Sequence, residues 1–233
     1  MSSDEIDKSS NELIELIHET NRENDQFLRR NAESTYEEIV GLFDDSINHM
    51  KVVQGIVKVG SDYMSSTLAF LAFHMMPSFS SGVLISLLSG NLPASFMLLR
   101  LLLEATIQAR YADEKYANIS ELTERFKLVA DEKLSFKCMA SRTIRNSDTC
   151  QRVVDIWKKL SSEWMHVSQY PARMKDAIFK TGNPPSWLLT IPNSYSLSDL
   201  ETISVLGDIV QGIRTVLAAV ISEWPDSREP KEK

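Results

Sequence analysis

The chain has 233 residues, of which 43% are hydrophobic and 24% charged, with only eight Gly and eight Pro and a formal net charge of -7. That balance fits a globular protein built from long elements with few turns, and it argues against nucleic-acid binding over a broad surface, which needs a basic face. The two cysteines, Cys138 and Cys150, lack the paired spacing of a zinc site and read as free thiols in a reducing compartment.

In chain order, residues 1–10 (MSSDEIDKSS) are polar and read as a disordered N-terminus with no secretory signal. Residues 11–30 carry Leu13, Ile14, Ile17, Phe27 and Leu28 at helical spacing among many charges. This amphipathic helix is the least securely attached and offers a surface for self-association with a second copy. Ser34-Thr35-Tyr36-Glu37 has the form of a capping box. The helix it opens repeats Ile39, Val40, Phe43, Ile47, Met50, Val53 and Val57 at steps of three and four, and Gly60 ends it. A helix over 61–76 is stopped by Pro77, and another over 79–89 ends at Gly90. The region from Met64 to Leu103 is the most apolar. Its uninterrupted pieces, such as LAFLAF, fall short of the roughly 18–20 residues of a membrane span, so buried core helices are expected and no membrane.

Pro93 suits the first turn of a helix over 93–116 that is apolar almost all round and belongs at the centre of the fold. Ser120 caps a helix with Leu122, Phe126, Val129 and Leu134. Ser147 or Asp148 caps another, with Val153, Trp157, Leu160, Trp164 and Val167 on one face. Tyr170-Pro171 breaks the chain, a short helix runs to Gly182, and the proline-rich 182–195 forms an ordered loop. Ser198-Asp199-Leu200-Glu201 is a second capping box, opening a helix with Leu200, Ile203, Leu206, Ile209, Ile213, Val216, Val220 and Trp224. The tail PDSREPKEK is solvated. With no strand periodicity, repeat or linker, the expectation is an all-α protein. A single helical domain over 11–224 has about seven to eight helices around the buried 93–116 helix, between a disordered N-terminus (1–10) and a disordered tail (225–233).

Within that central helix Arg100, Glu104 and Gln108 recur at steps of four and form a narrow polar stripe flanked by Tyr111. A charge in an apolar setting is costly unless it is paired or used. Two readings follow: an ion pair that specifies packing, or a site in which Arg100 binds an anion and Glu104 acts as base or ligand. His166, in "LSSEWMHVSQYP", ends a helix and shares a face with Asp155, Lys159 and Ser162, opposite Trp157 and Trp164. That placement suits a solvated, helix-end histidine.

The stretch "LLSGNLPASFMLLRLLLEATIQARY" and the later "LSSEWMH" resemble a family of uncharacterised all-helical prokaryotic proteins, catalogued as a domain of unknown function. There an L-x-x-G segment leads into an R-x-x-x-E helix and an L-S…H element follows. Gly90, Arg100, Glu104, Ser161 and His166 match that pattern, over roughly residues 81–170. The resemblance implies that Arg100, Glu104 and His166 converge, as a catalytic or anion-binding cluster or as a network holding two helices together. A helical nucleotide-binding ribonuclease family is a neighbouring alternative, but none of His18, His49, His74 or His166 follows an arginine at that family's distance.

Glu15-x-x-His18 and Glu163-x-x-His166 each place two metal ligands on one helical face. Glu104 and Glu201 are available as further ligands, in an order unlike that of the helical di-metal proteins. No phosphate loop, G-x-S-x-G elbow or H-E-x-x-H motif is present in the sequence. Most of the nine methionines, including Met75, Met76 and Met97, fall at core spacing. The leading expectation is a cytoplasmic module that binds a small ligand or a protein partner through Arg100, Glu104 and His166. The alternatives are a hydrolase acting on a nucleotide or phosphoester and a metal-binding bundle using Glu163 and His166. No cofactor is specified.

Overall fold

The computed structural model describes residues 3–56, 66–163 and 194–224. Among them every regular element is helical, so the all-α expectation holds. The helices are α1 (Ser3–Asn31), α2 (Glu33–Ile56), α3 (Thr67–Leu88), α4 (Leu92–Lys115), α5 (Leu122–Asp131), α6 (Phe136–Thr143), α7 (Ser147–Glu163) and α8 (Leu200–Ser222). Helix α1 starts well before the expected Asn11.

Several element boundaries differ from the sequence expectation, each for a local reason. Ser34 and Glu37 form no capping box, because α2 already begins at Glu33. The chain passes from α1 to α2 through Ala32 alone, whose N–H donates to the Leu28 carbonyl and whose own carbonyl accepts from Tyr36. Thr35 instead lies in the contact with α8, its Oγ1 donating to the Ile203 carbonyl at 3.3 Å. Pro77 does not end a helix. A π turn over Leu71–Met75 precedes it and widens the rod where the proline ring would otherwise meet the carbonyl four residues back. Helix α3 therefore continues to Leu88. Its serines return their hydroxyls to the backbone, as Ser80 does to Met76 at 2.7 Å, so they do not interrupt it.

Further along, Glu121 rather than Ser120 precedes α5. Asn146, not Ser147 or Asp148, caps α7 by accepting from the N–H groups of Asp148 and Thr149. Helix α6 has no counterpart among the expected elements. The second capping box sits two residues early: Ser196 N–H donates to Asp199 Oδ2 at 2.8 Å, ahead of a 3-10 turn over Leu197–Asp199 that runs into α8. Val57, Gly60, the 170–182 helix, the 182–193 part of the loop and the 225–233 tail lie outside the described residues.

Helix α4 is the axis. It packs on α3, α5, α6, α7 and α8. Asn91 caps it, the side-chain oxygen accepting from Ala94 N–H, and Gly90 reverses the chain before it with φ 75, a left-handed conformation that suits glycine. The C-terminal half from Ala105 to Ala112 is buried apart from the half-buried Gln108. The N-terminal half is not enclosed all round, since Met97 is 41% and Leu101 40% exposed. Met97 is thus not a core residue, whereas Met76 is.

One apolar cluster joins α1, α2, α3, the first half of α4 and α8. A second joins the rest of α4 to α5, α6, α7 and the end of α8, and Ile156 and Trp224 touch both. Helices α2 and α8 approach closely. A Cβ at Gly207 would stand 2.5 Å from Thr35 Oγ1, and one at Gly41 would stand 2.6 Å from the Arg214 guanidinium. That guanidinium bridges the two helices through Asp45 (2.6 Å) and Glu38 (2.7 Å). Asn24, fully buried on α1, donates to the Leu88 carbonyl at 2.9 Å and accepts from Tyr195 N–H at 2.8 Å.

Three helical stretches, 67–88, 92–115 and 197–222, are long and apolar enough to cross a membrane by length and composition. This corrects the expectation that the apolar runs are too short. The helices continue through Pro77 and the serines that break those runs in the sequence.

Candidate functional site

The polar stripe of α4 forms as its spacing predicts. Arg100 Nε donates to Glu104 Oε1 at 2.9 Å, and both side chains are 23% exposed. Trp157 on α7 donates its indole N–H to the same carboxylate oxygen at 2.7 Å and offers its ring to the Arg100 guanidinium at 5.6 Å. Phe136 from α6 stacks on the Trp157 ring, the centroids 5.0 Å apart at an interplanar angle of 12°. Ser161, one turn along α7, donates to the Trp157 carbonyl. Glu104 is therefore the point where α4 and α7 are joined, and Trp157 is a partner the sequence expectation placed only in an apolar stripe.

Of the other expected site residues, Glu163 is the last residue of α7, and His166 lies outside the described residues. Glu15 and His18 are exposed on α1. Among the described residues no three His, Cys, Asp or Glu side chains gather as a metal site. Cys138 and Cys150 are free thiols.

Gln108, the third member of the stripe, lies one turn beyond Glu104 and lines a cavity of about 180 Å³. The other walls are Phe126, Val129 and Ala130 of α5, Lys133 and Leu134 of the following turn, and Met139 of α6. A larger recess of about 370 Å³ lies away from the stripe, between the α1–α2 junction and Leu200 and Ser204.

The most deeply buried cation is one the sequence reading missed. Arg110, 1% exposed, pairs with Glu114 at 3.1 Å, donates to the Val220 carbonyl at 2.9 Å and stands 3.6 Å from Glu223. It repeats the R-x-x-x-E spacing of Arg100 and Glu104, so the same signal was present one heptad and a turn later. Two further clusters surround the end of α4. Arg125 pairs with Asp113 at 2.6 Å, whose other oxygen accepts from Trp224. Glu132 accepts from Lys115 (2.6 Å), Tyr111 (2.9 Å) and Tyr116. Those donors, Lys115 first, hold the Glu132 carboxyl down at about 2.

The fold and this geometry define an α-helical bundle whose central helix carries its own counter-charges and opens, at one turn of its polar stripe, onto a small cavity. The chain matches no protein family, no curated protein and no solved structure at a significant level of similarity.

The two arginines should separate on truncation. Arg110→Ala removes a buried cation with three partners and is expected to lower stability by about 3–5 kcal/mol. Arg100→Ala acts on a pair that keeps about a quarter of its surface in solvent and should cost about 1–2 kcal/mol, between the values for exposed and buried pairs. Urea unfolding of both variants measures the difference. A carboxyl held down in the folded state adds stability above its unfolded pKa that is lost as pH falls through the folded value. Thermal stability should therefore fall between about pH 4.5 and pH 2, and Glu132→Gln should flatten that part of the profile.

Proposed function

We propose that the chain is a helical module that binds a small ligand beside its central helix. The observation that supports it most is the α4 stripe: a mostly buried but solvent-reached Arg100–Glu104 pair followed one turn later by Gln108, which lines an open recess of about 180 Å³. A structural ion pair alone gives no reason for an amide at the next turn to line an open space. The Gln108 side chain makes no hydrogen bond among the described residues. In this reading Glu104, fixed by Arg100 and Trp157, sets the polar end of the site. His166, which the sequence resemblance adds to this cluster, lies outside the described residues. The reading takes the chain as water-soluble and intracellular; the apolar window is 56% buried within the bundle in the spans 92–115 and 197–222 and 39% buried in 67–88. A fragment screen followed by NMR should shift the Gln108 side-chain amide and the Trp157 indole N–H together. Glu104→Gln should weaken the strongest hit at least about tenfold, as loss of a charge-assisted contact does. A screen that moves neither signal would leave the stripe as a packing device.

A second reading, self-association, is favoured by α1. The stripe that docks this helix on the bundle through Thr20, Asn24 and Leu28 continues toward its N-terminus as Leu13, Ile14 and Ile17. Leu13 and Ile14 are each 51% exposed and Leu16 49%. A second copy laid antiparallel along the same stripe would cover them on both chains. Sedimentation of the full chain should show a dimer that Leu13→Glu with Ile14→Glu dissociates. A monomer at all concentrations would remove this reading.

A further inference from the structure

The cavity beside Gln108 holds two polar groups that the fold itself leaves unused. Lys133 is the second. It is exposed to solvent and shares the lining of this open recess with Gln108, and its ammonium makes no ion pair or hydrogen bond among the described residues. Its backbone is also unusual. With φ 51 it is the one non-glycine residue in the left-handed region among those described. It follows the α5 C-cap Glu132, and its N–H donates to the Ala130 carbonyl at 3.2 Å, so it occupies the position where helices commonly end on glycine. A side chain there carries a steric cost that glycine would avoid, and strain of this kind is commonly kept where the side chain has a task.

The remaining walls are apolar: Phe126, Val129, Ala130, Leu134 and Met139. An apolar cavity of about 150 Å³ is enough for a benzene ring, so a space of about 180 Å³ takes a ring-sized body with one small polar group. One cation and one amide match a single carboxylate. A phosphate dianion would leave one negative charge uncompensated beside a single lysine, whereas a carboxylate is matched by it.

Resting on the small-ligand reading above, we infer that this cavity binds a small apolar monocarboxylate, with its hydrocarbon body among Phe126, Val129 and Met139 and its carboxylate between the Lys133 ammonium and the Gln108 amide. Lys133 is then a binding residue that sets specificity for the anion over its neutral isostere.

Benzoate and benzyl alcohol, titrated into the full chain with the Met139 methyl as NMR reporter and calorimetry for affinity, test this. Benzoate should shift Met139 and bind at least about tenfold tighter than benzyl alcohol. Lys133→Gly relieves the left-handed strain, so it should fold and melt at the wild-type temperature or a few degrees above it. It should nevertheless lose about tenfold in benzoate affinity, and Lys133→Arg should retain most of it. Equal binding of the two probes, wild-type benzoate affinity in Lys133→Gly, or an unmoved Met139 methyl with both probes would each overturn the inference. Equal binding would still leave the small-ligand reading standing. That reading falls separately, when the wider screen leaves Gln108 and Trp157 unmoved.

Discussion

A helix packed on five others can send few of its charges to bulk water, and this constraint organises the structure. Helix α4 meets it by carrying its own counter-ions. Arg100 and Glu104, then Arg110 and Glu114, are paired one turn apart on the same helix. The two pairs differ in what completes them. Arg110 is finished by the Val220 carbonyl and Glu223 at the end of α8, and is sealed. Arg100 and Glu104 are finished by the Trp157 indole and keep a quarter of their surface in contact with solvent. The first pair holds α8 in place. The second pair holds α7 and remains reachable, which is why the ligand reading rests on it.

The other polar contacts perform the same service at helix ends and crossings. Asn24 is the clearest case, since its amide uses both its donor and its acceptor to tie α1 to the end of α3 and to Tyr195 ahead of α8. The Tyr195 hydroxyl adds a bond to the Leu87 carbonyl, at the carbonyl-rich end of α3 that the helix leaves unpaired. Arg214 ties α8 to α2 across two glycines, and Glu132 gathers Lys115, Tyr111 and Tyr116 where α4 meets α5. Apolar burial supplies the compaction, and these directional bonds select one arrangement of rods that apolar stripes alone would allow to slide.

Lys133 stands apart from this economy. The left-handed turn before α4 is given to a glycine. Here a lysine occupies a left-handed position and faces a cavity without a counter-charge. A left-handed lysine beside a recess that Gln108 also lines distinguishes this corner of the fold from its packing networks.

The sequence by itself determined the helical class, the central place of the 92–115 helix and the Arg100–Glu104 pair, because those follow from periodicity and from i, i+4 spacing, which are local properties of one helix. It also carried the Arg110–Glu114 pair in the same spacing. It did not distinguish the two pairs, since their burial depends on whether α8 or α7 lies across them. A helix end was legible at Gly90, where glycine reverses the chain before α4, while the asparagine caps Asn91 and Asn146 were not singled out. Helix ends were misplaced at Pro77, where a π turn carries the helix through, and at Ser34, where a single-residue junction replaces a cap. The meeting of Trp157 with Glu104, and the placing of Gln108 and Lys133 on one recess, were decided only by tertiary structure. Each joins residues far apart in the chain, and their encounter depends on how α4, α5, α6 and α7 cross.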